Sequence, residues 1–217
     1  MGSLELSRRL IKTVFLHGLG QTPSSWSKTI ENIGIEERAV CPNLSTLIQG
    51  REANYENLYA AFSDICNEHS EKVNLCGLSL GGVLSLNYAI DHPDKVNSLI
   101  LIAAQYKMPK KLLSIQNTIF RFMPKSMFQE MGFSKEDFLM LCKTMMELDF
   151  SSSLNAVNSP VLIICGEKDS ANKKASMELA DRLTNAELCI VEGANHEINI
   201  EMPEKLAELI KRFYLKS

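Results

Sequence analysis

A serine set between glycines is the first residue in this chain whose surroundings suggest chemistry. After the apolar run Val73-Asn74-Leu75-Cys76 the sequence reads Gly77-Leu78-Ser79-Leu80-Gly81-Gly82, a G-x-S-x-G spacing between a strand signal and an apolar helical pattern. On a sharp strand-to-helix turn, backbone crowds the positions two before and two after the serine, so both must lack a Cβ. The turn lifts the Ser79 hydroxyl above the sheet edge at a helix N-terminus, where the dipole favours developing negative charge. A hydroxyl attacks a carbonyl effectively only when a base takes its proton. Of the four histidines, His69 lies at a polar helix end and is expected in solvent, and His92 precedes Pro93 as a helix cap. His17 follows the first strand directly and suits an orienting hydrogen bond. His196, in Gly193-Ala194-Asn195-His196, follows the last strand at the same sheet edge as Ser79 and is the candidate base. A carboxylate should orient it. Gly166-Glu167-Lys168-Asp169 offers two, and Asp169, further into its loop, reaches toward His196 more readily than Glu167; Asp149 precedes its strand at the opposite edge.

These side chains need a scaffold that brings distant loops to one edge. Runs rich in Val, Ile, Leu and Cys recur at 13–16, 38–41, 73–76, 98–103, 161–165 and 187–191. Most are too continuously apolar for strands with one wet face, so they predict a mostly parallel sheet buried on both sides. Helical patterns fall between them at 55–68, 81–91, 176–183 and 204–215. Alternation of this kind is an α/β fold. Residues 105–149 break the rhythm: no strand signal occurs there, but seven of the ten methionines and five of the nine phenylalanines do. With Pro109, Pro124 and Gly132 as punctuation, the stretch predicts two or three short helices. They either seal one end of the core or form a lid whose thioether and aromatic side chains line an apolar pocket.

Composition bounds the rest. The 217 residues are 45% hydrophobic and 23% charged, ordinary for a globular chain, with 23 Lys and Arg against 26 Asp and Glu. A net charge of −3 provides no electrostatic footprint for nucleic acid and argues against a general binder of anionic membranes. No apolar run approaches the roughly 20 residues of a membrane-spanning helix. The start of the chain has no stretch resembling a signal peptide, so the cytoplasm is the default location. The six cysteines form no CxxC pair and are expected as reduced core residues, and His and Cys show no metal-ligand spacing.

Taken in chain order, Val14-Phe15-Leu16-His17-Gly18-Leu19-Gly20, the Gly77–Gly82 turn, Gly166-Glu167-Lys168-Asp169 and Gly193-Ala194-Asn195-His196 resemble the α/β-hydrolase superfamily over nearly the whole chain, most closely its small carboxylesterase and monoacyl-ester-lipase-like members. The resemblance implies Ser79 as nucleophile, His196 as general base and acid, Asp169 as its orienting carboxylate, and the backbone N–H groups of Leu80 and Leu19 as oxyanion donors. It implies a core of residues 1–104 and 150–217 with about six to seven strands, fewer at the N-terminus than in larger members, and a helical cap over 105–149. The implied reaction is hydrolysis of a small-molecule carboxylic ester with a short to medium apolar or aromatic acyl group, without a cofactor. Leu19, Trp26 and Leu80 are expected near that group. Relatives with the same triad cleave carbon–carbon bonds or eliminate small acids, and others bind ligands with little turnover. A dicarboxylate substrate would require convergent arginines, for which only Arg51 and Arg121 lie near plausible pocket segments.

Overall fold

A computed structural model describes residues 11–216. Six parallel strands form one sheet: β1 (Thr13–Leu16), β2 (Ala39–Val40), β3 (Val73–Leu78), β4 (Val96–Ile102), β5 (Val161–Gly166) and β6 (Ala186–Val191), in the spatial order β2-β1-β3-β4-β5-β6. All five pairings are parallel. All six strands lie within two residues of their expected positions at each end. Any further N-terminal strand would fall outside the described residues.

Side-chain alternation divides the core between the sheet's two faces. Val14, Leu16, Leu75, Leu99, Leu101 and Ile163 pack on one face, and Phe15, Cys76, Ile100, Ile102, Leu162 and Ile164 pack on the other. The second face is covered by α1 (Ser27–Ile33), which periodicity did not reveal, and by the C-terminal α10 (Pro203–Lys216). The first is covered by α3 (Tyr55–Asn67), α4 (Leu80–Asp91) and α8 (Ser170–Arg182). Short α2 (Leu44–Leu47) and α9 (Ile198–Glu201) complete the connections.

Between β4 and β5 lie three helices, α5 (Lys110–Phe122), α6 (Lys125–Glu130) and α7 (Lys135–Met145). Their phenylalanines mostly pack on one another: Phe138 meets the rings of Phe120, Phe128 and Phe133 edge-on at 5.0–6.0 Å. Ser134 caps α7 by accepting the Asp137 N–H. All six cysteines are free, three of them fully buried. Among the described residues no helix is long and apolar enough to cross a membrane, and no cluster of His, Cys, Asp or Glu could hold a metal.

The chain passes from β1 outward to β2, then returns past β1 to β3 and continues the other way. The sheet's topological switch therefore falls between β1 and β3. The usual ligand position in such sheets is the crevice there, beyond the strand C-termini.

Candidate active site

Ser79 stands at that crevice between β3 and α4, with φ 54° and ψ −115°, in the strained region non-glycine residues avoid. The surrounding packing fixes the strain. Ser79 N–H donates to Ile102 O at 2.8 Å, and a Cβ on Gly77 would lie 2.2 Å from the Gly81 carbonyl oxygen. A Cβ on Gly81 would meet Leu16 O at 2.2 Å, so the turn rests directly on β1.

Asp169 and His196 arrive on the loops after β5 and β6. These loops are tied together by Glu167 N–H to Val191 O and Lys168 N–H to Ala194 O, each 2.9 Å. Glu167 itself is exposed and accepts the Gly193 N–H at 3.0 Å, steadying the His196 loop instead of contacting the ring. Asp169 Oδ2 accepts from His196 Nδ1 at 2.7 Å. An ionised carboxylate only accepts, so Nδ1 carries the proton and Nε2 keeps its lone pair. Burial alone would raise the Asp169 pKa, but hydrogen bonds from His196 and Asn172 outweigh it and hold the carboxyl below its ordinary value. Ser79, Asp169 and His196 line one cavity of about 340 Å³. Asp149 lies elsewhere, paired with Lys107 at 2.8 Å.

His17 forms the orienting bond expected of it. The Leu44 N–H donates to its Nε2 at 3.1 Å, leaving Nδ1–H to donate to Gly18 O at 2.9 Å. Burial lowers its pKa, partly opposed by that carbonyl. The Gly18 loop abuts the serine, since a Cβ on Gly18 would come within 3.6 Å of Ser79 Cβ. Leu19, next in that loop, packs against the core and is not among the described residues lining the cavity, contrary to its expected place beside the acyl group. Leu80 is the first residue of α4, so its N–H has no partner within the helix. His92 caps α4, its ring centroid 4.5 Å from that of Tyr88. His69 departs from expectation: it is half-buried and its Nε2 is enclosed without a hydrogen-bond partner.

The remaining lining also corrects the expectation. Leu80, Val83, Met108, Pro109, Leu113 and Met145 supply the apolar wall. The phenylalanines of 105–149 are not among its described lining, because four pack on one another and Phe122 is exposed. Trp26 packs against Phe15 on the opposite sheet face. Among the described residues neither Arg51 nor Arg121 reaches the cavity, and no other Lys or Arg lines it.

Two polar networks escaped sequence reading. Asn172 Nδ2 donates to both Asp169 oxygens at 3.0 and 2.9 Å, so it and His196 converge on the same carboxylate. Gln105 Nε2 in turn donates to Asn172 Oδ1 at 2.8 Å. The visible signal was the Asp-x-x-Asn spacing at a helix start, where Asp169 caps α8. Gln21, buried behind the Gly18 loop, bonds Gly18 N–H, Glu197 and Asn199 and thereby joins the β1 loop to the segment after His196.

Residues 13–209 match the family model described as the alpha/beta hydrolase family. The chain is 24% identical, over 92% of its length and 94% of the relative's, to a pimeloyl-[acyl-carrier protein] methyl ester esterase of Aeromonas hydrophila. In structure it resembles a carboxylesterase of the Thaumarchaeon Nitrososphaera gargenis (TM-score 0.80, 19% identity, 96% of this chain and 91% of that one). It also resembles the enol-lactonase of Burkholderia xenovorans LB400 (TM-score 0.79, 16% identity, 97% and 93%).

Proposed function

The chain belongs to the α/β hydrolase family, and from that premise we propose that it is a carboxylesterase-like serine hydrolase working through Ser79, His196 and Asp169. The observation that carries the reading is the 2.7 Å Asp169–His196 bond in the cavity that also holds Ser79 on its strained turn. Ser79 Oγ attacks the ester carbonyl while His196 Nε2 takes its proton, and Asp169 stabilises the resulting imidazolium. The N–H groups of Leu80 and Leu19 receive the oxyanion, each such donor contributing about 3 kcal/mol to lowering the barrier. Collapse of the tetrahedral intermediate breaks the carbon–oxygen bond, and His196 returns its proton to the leaving alcohol. Water, deprotonated by His196, then attacks the acyl-enzyme, and Ser79 regains its proton as the acid leaves.

The acyl group lies against Leu80, Val83, Met108, Leu113 and Met145, which suit a short to medium apolar or aromatic chain. Residues 105–149 act as the cap that supplies most of this wall. The lack of cations among the lining residues disfavours a dicarboxylate substrate.

The test pairs intact mass after treatment with a fluorophosphonate probe with hydrolysis of p-nitrophenyl esters from acetate to palmitate. A single adduct on Ser79 and a rate peak at one chain length are expected. Ser79→Ala should abolish labelling and cost roughly 10⁶-fold in kcat. Retention of more than about a tenth of the rate would remove Ser79 as nucleophile. Labelling without ester turnover would transfer the reading to carbon–carbon cleavage, elimination or ligand binding.

A further inference from the structure

One helix of this molecule has an apolar surface wider than the part that packs on the protein. Toward the cavity α5 presents Leu113 and Gln116, and its Phe120 joins the aromatic cluster of the three helices. At 100° per residue, Ile115, Ile119 and Phe122 fall on its outer face. They are 61%, 57% and 85% exposed, the three most exposed large apolar side chains of the described residues after Leu215 is set aside. Met127 and Met140, also exposed, belong to the same three-helix segment.

Charge is distributed as unevenly. No Asp or Glu occurs between Asp94 and Glu130, a stretch holding Lys95, Lys107, Lys110, Lys111, Arg121 and Lys125. Residues 105–149 carry seven Lys and Arg against five Asp and Glu, while the rest of the chain carries 16 against 21. Lys107, Lys110 and Lys125 do have partners in Asp149, Glu147 and Glu136, but all three pairs are solvent-exposed and weak. The net charge of −3 averages over this asymmetry, and so it concealed a cationic segment on an acidic protein.

We propose that the outer face of α5 docks on an anionic lipid surface, with Ile115, Ile119 and Phe122 entering the headgroup region and Arg121 and Lys125, next to Phe122 along the chain, meeting lipid phosphates. A strongly amphipathic helix with basic residues and an aromatic on its apolar side has the composition of an interfacial helix. A second copy of the chain fits less well. A two-fold contact through this face would set like charges against each other. One exposed ridge on a helix about 20 Å long also falls well short of the roughly 800 Å² per partner in a standard interface. Since α5 also walls the cavity, docking places the site of ester hydrolysis beside esters dissolved in the lipid. That second consequence, a lipid-borne substrate, rests on the proposed function; the docking does not.

Flotation with phosphatidylcholine vesicles, with and without phosphatidylserine, tests the docking without requiring turnover. Wild type and Ser79→Ala should float equally with the phosphatidylserine vesicles and remain behind with phosphatidylcholine alone. The triple variant I115S/I119S/F122S should lose at least about tenfold in vesicle affinity while hydrolysing a water-soluble acetate ester at an unchanged rate. Should that variant fail to fold, Arg121→Glu with Lys125→Glu carries the test, and its vesicle binding should drop by a similar factor. Absence of wild-type binding, or undiminished binding by the charge variant, would overturn the proposal. So would a wild-type dimer that the triple variant dissolves. Vesicle binding by an enzyme that hydrolyses no ester would leave the docking standing and remove the proposed reaction.

Discussion

His17 satisfies both of its backbone neighbours in only one form, the neutral tautomer with its proton on Nδ1. Protonation would place an N–H against the Leu44 N–H and add a charge in a buried site. Its folded pKa is depressed, first by desolvation. The unfolded chain therefore binds a proton near pH 6.5 while the folded chain resists it. Stability from this residue is complete above that pH and falls on acidification toward the folded pKa, by up to about 1.4 kcal/mol per pH unit. His17→Gln offers an oxygen to the Leu44 N–H without titrating, so its thermal midpoint should vary less between pH 7.5 and 5.5 than that of wild type. Identical pH dependence in the two proteins would refute this assignment. Asp169 has the opposite sign. Its depressed pKa stabilises the fold above the unfolded value near 3.9, and that contribution disappears as the pH falls through the folded pKa. Asn172→Ala removes two donors from this carboxylate and should move the acid loss of stability to higher pH. It should also lower kcat more than it raises KM, because the orientation of the imidazole matters most in the transition state.

The helices between β4 and β5 divide their side chains between two tasks, and substitutions can separate them. Met145 lines the cavity, whereas Phe138 packs among Phe120, Phe128 and Phe133. Met145→Ala should shift the preferred p-nitrophenyl ester toward longer chains, since the wall recedes. Phe138→Ala should leave the preference alone and cost about 3–5 kcal/mol of stability, read by denaturant unfolding. A shifted chain-length profile in Phe138→Ala would show that its ring shapes the pocket after all. This division was not legible in the sequence, where the methionines and phenylalanines of 105–149 look alike as an apolar set. The strands were legible because continuous Val, Ile and Leu runs have few other uses in a chain of this composition. Ser79, Asp169 and His196 were legible because each closes a strand with a glycine-marked loop. Gln21 and Asn199 were not. Their pairing joins residues 178 apart, and no local spacing encodes a contact that the sheet topology creates. Trp26 shows the same limit in reverse: nearness in sequence to the β1 loop suggested the pocket, but the short turn of residues Pro23–Trp26 leading into α1 carries it to the other face.

Over the whole molecule, where charge sits matters more than how much there is. Among the described residues no lysine or arginine lines the cavity, although seven of the chain's 23 belong to 105–149 beside it. Two effects on an anionic substrate then oppose each other. The cationic segment raises its local concentration, an effect that acts over a Debye length of about 8 Å at physiological ionic strength and disappears with added salt. Inside, a carboxylate would lose water without gaining a cationic partner, a cost of several kcal/mol for an unpaired ion that salt does not screen. The second effect is larger, so an ester ending in a carboxylate should be hydrolysed at least about 10²-fold more slowly in kcat/KM than its methyl-ended counterpart of equal length. Raising the salt concentration should widen that gap, because it removes only the favourable attraction. Steady-state kinetics on the two esters at low and high salt measure both effects. Equal rates, or a gap that narrows with salt, would mean that a cation reaches the bound acyl chain.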